Sequence, residues 1–153
     1  MFLDINNTTD IIKRLNKLEN KTNALFGKMS AQHMIEHLAL AFTFSNGKNP
    51  VTLQYNSEKG QKIKTAVIFN DDEMPIGYKS PMLPKEELLP LKHPDLPTAK
   101  KQLIQELLDF FKYFELNPDA KPENPVAGIL TFKEWVIFHN KHITHHFRQF
   151  GLL

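Results

Sequence analysis

The chain has 153 residues, 41% of them hydrophobic, with 19 Lys and Arg against 17 Asp and Glu and a formal net charge of +2. That size suits one domain over residues 1–153 with a continuous core, and so small a charge, with Arg14 and Arg148 the only arginines, argues against a nucleic-acid partner. The absence of cysteine excludes disulfides, zinc ribbons and a protein thiol nucleophile, and with neither a secretory leader nor an apolar run of about 18 residues the expectation is a cytoplasmic protein without membrane association.

The first helix is expected over about Thr8–Leu18, with Thr8 or Thr9 as N-cap and Ile11, Ile12, Leu15 and Leu18 at helical spacing. The segment Asn20–Gly27 interrupts it. Ser30 then offers an N-cap to a second helix through Gln32, Met34, Leu38, Ala41, Phe42 and Phe44, which Gly47 and Pro50 stop. Seven of the ten prolines fall between Pro50 and Pro97 and cut that stretch into short pieces. Within it Lys62–Phe69 fits a short helix or a strand, since Ile63, Ala66, Val67 and Ile68 satisfy neither period cleanly. Asp71–Leu91 reads as a long connection, either lining a binding site or, for most of its residues, simply spanning one end of a helical bundle.

A third long helix follows from Pro97 or Thr98 to Leu116, with Leu103, Ile104, Leu107, Leu108, Phe110, Phe111 and Phe114 as its apolar face and Asn117-Pro118 as its stop. The last helix opens with Thr131 and Glu134 in a T-x-x-E capping box and runs to about Phe150 before Gly151. No strand pattern is strong enough to support a sheet.

The chemistry is concentrated in the histidines. His139, His142, His145 and His146 fall within eight residues on the last helix, and His37 lies in the apolar stripe of the second with Met34, Leu38 and Ala41. At about 100° per residue, Phe132, Val136, Ile143, Phe147 and Phe150 share the core arc of the last helix. Trp135, His139, His142, His146 and Gln149 flank that arc. Lys133, Glu134, Asn140, Lys141, Thr144 and Arg148 are expected in solvent, with His145 near them, and Glu36 of the second helix faces out.

Two imidazoles one turn apart, His142 and His146, repel if both are charged and are suited to gripping one ion when neutral. If His37 meets them, three nitrogens hold a divalent metal with a coordination position open, the mark of a catalytic rather than a structural site. A lone inward His is ordinarily a packed core residue, and His33, His93, His139 and His145 read as surface or outer groups rather than ligands. Neither the H-E-x-x-H of zinc proteases nor the Glu-x-x-His of di-iron bundles is present, and no G-x-S-x-G elbow or glycine-rich phosphate loop supports another chemistry.

The run Lys141-His142-Ile143-Thr144-His145-His146-Phe147-Arg148-Gln149 resembles the H-x-x-H-H-x-x-Q element on the last helix of the DinB-like superfamily, whose members are regarded as metalloenzymes. Phe26–Leu38 resembles the segment carrying that superfamily's first histidine, and Leu130–Trp135 with the ending Arg148–Gly151 is similar to a largely uncharacterised branch of it. The resemblance implies an all-α, four-helix bundle of up-down-down-up topology with a long crossover between the second and third helices. It also implies a metal site on His37, His142 and His146. Relatives include S-transferases and an isomerase that use low-molecular-weight thiols.

The working expectation is a zinc- or nickel-dependent enzyme in which the ion activates a small-molecule thiol or a water. His139, His145 and Gln149 are then available to orient ligands or shuttle protons. No inward carboxylate is evident beside the histidines, and Asp71, Asp72 or Glu73 would have to approach from the crossover. Two alternatives stay open: a non-catalytic metal- or ligand-binding protein, and a plain structural bundle that dimerises through its aromatic-rich faces.

Overall fold

The computed structural model describes all 153 residues and is mainly helical: α1 (Thr8–Leu15), α2 (Ala31–Thr43), α3 (Ser57–Ile68), α4 (Leu96–Leu116) and α5 (Phe132–Gln149), with a two-stranded antiparallel hairpin, β1 (Glu123–Asn124) and β2 (Gly128–Ile129), before α5. No helix is long and apolar enough to cross a membrane. Helices α1, α2, α4 and α5 are the four read from the sequence. The fifth, α3, resolves the ambiguous Lys62–Phe69 stretch in favour of a helix that starts earlier than its apolar residues, because the Asn56 side chain caps it by accepting from the Lys59 N–H at 2.8 Å.

Side-chain caps set the other boundaries. Asn7, not Thr8 or Thr9, caps α1 by accepting from the Asp10 N–H at 3.1 Å. That helix ends at Leu15 rather than Leu18, although Leu18 stays buried in the turn that follows. Ser30 caps α2, Asp95 caps α4, and Thr131 with Glu134 forms the expected reciprocal box at the start of α5. The hairpin, too short to leave a period-2 pattern, is shaped by Asn124, whose Oδ1 accepts from the N–H groups of Val126 and Ala127. The Trp135 indole donates to the Pro122 carbonyl at 2.9 Å and fastens α5 to it.

Helix α2 packs chiefly against α4 and also meets α5. Met34, Ile35, Leu38 and Phe42 of α2 join Leu103, Leu107 and Phe110 of α4 and Trp135, Ile143 and Phe147 of α5 in one buried cluster. Of the α5 face expected in solvent, Lys133 is exposed, whereas Lys141 and Thr144 are covered. Thr144 is fully buried and Lys141 is 3% exposed, because the N-terminal segment lies along this face: the Leu3 N–H donates to Thr144 Oγ1 at 2.8 Å and the Ile5 N–H to Asn140 Oδ1 at 2.9 Å. Lys141 reaches out of its apolar surroundings to donate to the Asn70 carbonyl at 2.6 Å, a long stem laid over apolar surface with its head on a partner.

Candidate metal centre

Position 37 falls on the side of α2 that faces α5, and positions 142 and 146, one turn apart, fall on the side of α5 that faces α2. His37 Nε2 and His142 Nε2 are 3.0 Å apart. The His37 ring centroid lies 4.9 Å from that of His142 and 4.7 Å from that of His146, and His142 and His146 are 4.8 Å apart. One ligand atom from each of the three lies within 4.8 Å of the others.

The donor set fits a divalent ion on two grounds. Two nitrogens bound to one tetrahedral ion at about 2.0–2.1 Å sit about 3.3 Å apart, close to the Nε2–Nε2 separation here. Burial also keeps the rings neutral, so they offer lone pairs rather than charge. Desolvation, with a smaller push from His145, takes His37 down to about 4. His142 and His146 are held well below the usual imidazole range by burial first and by their histidine neighbours second. The Nδ1 atoms of His37 and His142 are buried without a partner. His146 Nδ1, in contrast, lies 2.7 Å from Gln149 Oε1.

His37 and His146 open onto a cleft of about 700 Å³. One wall is a stripe of α2 at helical spacing, His33, Glu36, His37, Leu40 and Thr43; Phe26–Met29, the long connection after α3, Gln102 and Glu106 of α4 and the end of α5 supply the others. The connection thus lines a site over Ile76–Ser80 and Leu83–His93 instead of merely spanning a bundle end. Glu36, expected to face solvent, is its anchor: the carboxylate accepts from the Lys92 N–H at 2.5 Å and from the His93 N–H at 3.4 Å, while Gln32 Nε2 bridges Glu36 and the His93 carbonyl, both at 2.9 Å. Partial burial alone would raise this carboxyl, but the hydrogen bonds from Lys92, Gln32 and His93 outweigh it and hold the group below its ordinary value.

The remaining histidines separate clearly. His139 is a core residue at 1% exposure, not a surface one. Its ring stacks on Phe42 at 4.0 Å and Trp135 at 5.2 Å, its Nε2 lies 2.9 Å from Ser45 Oγ, and burial pushes it down to about 3. His33 pairs with Ser30 Oγ at 2.6 Å, and His93 belongs to the anchored connection. His145 is partly buried on the cleft wall, 5.4 Å from the Phe26 ring.

Asp71, Asp72 and Glu73 do not line the cleft; Glu73 pairs with Arg148. The inward carboxylate is Glu106 of α4, 5% exposed, which takes hydrogen bonds from Asn46 (2.6 Å), Lys48 (3.0 Å) and Gln102 (2.6 Å). Its sequence signal was its place on the core stripe, three residues after Leu103 and four before Phe110.

The chain belongs to the family described as "Protein of unknown function (DUF1569)", whose model matches residues 1–151. No curated protein and no solved structure matches it.

Proposed function

We propose that this DUF1569 protein is a metal-dependent enzyme in which His37, His142 and His146 hold one divalent ion, zinc or nickel, at the inner end of the cleft. The observation that carries the proposal is the convergence of three imidazoles, two of them Nε2 to Nε2 at 3.0 Å, beside space for a small molecule. Bound there, such an ion lowers the pKa of a coordinated thiol or water and makes a nucleophile at neutral pH. A chain without cysteine takes its thiol from solution, and a low-molecular-weight thiol is the co-substrate we favour. Such thiols are kept reduced in the cytoplasm, the location this function calls for. The DinB-like likeness, with α1, α2, α4 and α5 as an up-down-down-up bundle, belongs to the same proposal.

The protein's own groups have distinct tasks. His37 and His146 face the cleft and His142 does not, so an ion held by the three would be open to substrate on the His37 and His146 side, with His142 holding it from within. The apolar side chains of Phe26, Met29, Leu40, Ile76 and Leu83 exclude water from the body of a bound electrophile. One observation favours a non-catalytic binding protein instead: Glu36 and Glu106, cleft carboxylates of the helical walls, are saturated by hydrogen bonds, leaving neither free as a base.

Tag-free protein, purified without metal resin and titrated with zinc and nickel, is expected to take up one equivalent. His142→Ala should weaken uptake by more than the roughly 10–100-fold typical of losing a partner that merely orients a ligand. Thiol consumption is then followed with a panel of small thiols and a generic alkylating electrophile. Equal rates in wild type and His142→Ala reject catalysis, and absence of metal uptake rejects the site.

A further inference from the structure

Gln149 stands out because its side chain hydrogen-bonds to two parts of the site, the His146 ring and the Phe26 backbone. Its Nε2 lies 2.9 Å from the Phe26 carbonyl, and a carbonyl only accepts, so the amide nitrogen must face Phe26. That orientation turns Oε1 to His146 Nδ1 at 2.7 Å. An amide oxygen also only accepts, so Nδ1 carries the ring proton and Nε2 keeps its lone pair. The loop side is equally constrained. The Leu25 N–H donates to the Gln149 backbone carbonyl at 2.7 Å, and Gly27, at φ +78°, passes so close that a Cβ there would sit 2.8 Å from Gln149 Nε2. Phe26, Gly27, Lys28 and Met29 are themselves cleft wall.

We infer that Gln149 is a positioning residue: its buried amide selects the Nδ1–H tautomer of His146 and fastens the 26–29 wall of the cleft to that same ring. His37 and His142, whose Nδ1 atoms have no partner, lack such a device, so His146 is the ligand whose orientation is set before an ion arrives. The effect on metal affinity rests on the metal-site proposal above, whereas the tautomer itself does not.

The test reads the ring nitrogens of His146 by ¹⁵N NMR in metal-free protein at neutral pH, alongside zinc competition titrations. Wild type should show His146 as the Nδ1–H form. Gln149→Leu, which removes both contacts, should show a mixture or the Nε2–H form and bind zinc about 10–100-fold more weakly. Gln149→Glu keeps an acceptor for His146 but sets a carboxylate against the Phe26 carbonyl. It should hold the Nδ1–H form while amide exchange across residues 26–29 accelerates. Gly27→Ala, which pushes on the amide from the loop, should move the His146 signals without touching the ring, and serves if Gln149→Leu folds poorly.

An Nε2–H form in wild type, or a Gln149→Leu protein with unchanged His146 signals, overturns the inference. Should wild type take up no zinc, the metal-site proposal falls, and the NMR comparison still decides the role of Gln149.

Discussion

Acidification of the metal-free protein should unfold it through its buried histidines. His139 is pushed down to about 3 and His37 to about 4, against 6.5 for an unburied imidazole. As pH falls below 6.5 the unfolded chain takes up these protons and the folded chain does not. The stability they contribute is therefore complete above 6.5 and lost progressively toward pH 4. Each group changes the folding free energy by about 1.4 kcal/mol per pH unit in that window, so the two together cost about 5 kcal/mol by pH 4.5. His142 and His146 are shifted in the same direction. A loss of that size rivals the roughly 5–15 kcal/mol that stabilises a whole domain. Glu36, Asp109 and Glu134, whose carboxyls are depressed, lose their contribution only below about pH 4.5, so the window from 6.5 to 4.5 reports histidine.

The assay is urea unfolding in chelator at several pH values across that window, followed by the fluorescence of the single Trp135, with His139→Phe beside wild type. The variant keeps an aromatic ring against Phe42 and Trp135, and Ser45, which loses its contact with His139 Nε2, keeps its hydrogen bond to the Phe42 carbonyl. The pH slope should fall by one proton, about 1.4 kcal/mol per unit. A wild-type free energy that stays flat from pH 6.5 to 4.5, or an identical slope in His139→Phe, refutes the reasoning.

Two further outcomes follow from contacts outside the histidines. Thr144→Val keeps the side-chain shape but leaves the Leu3 N–H without its acceptor on a buried face, and should destabilise the protein by about 1–3 kcal/mol; thermal denaturation within 0.3 kcal/mol of wild type would contradict it. Glu36→Ala frees the Lys92 and His93 amides, and their hydrogen exchange should quicken about tenfold or more, while zinc uptake at the histidines persists; unaltered exchange would show that the connection is held elsewhere.

Most helices were legible because their signals are local. Ser30, Thr131 and Glu134 cap within one turn of themselves, and the stripes Met34–Leu38–Ala41 and Leu103–Leu107–Phe110 repeat at the helical period. Helix α3 was obscured because only Gly60 and Ile68 are buried along it, leaving little amphipathic contrast. The hairpin was too short for its period to register, and its turn depends on one Asn124 side chain.

For the site, spacing alone placed His142 above His146 and turned His37 inward, since a helix fixes the angle between positions without reference to anything else. Which residues met across helices was another matter. Lys141 and Thr144 carry the composition of a solvated face, yet they are covered by chain more than 130 residues earlier and by Asn70. Glu36 looked outward until the connection folded back to supply its amide partners, and His139 was claimed by the Phe42–Trp135 stack rather than by the cleft. Periodicity tells which side of its own helix a residue occupies; only the packing of distant segments determines whether that side is core, cleft or solvent.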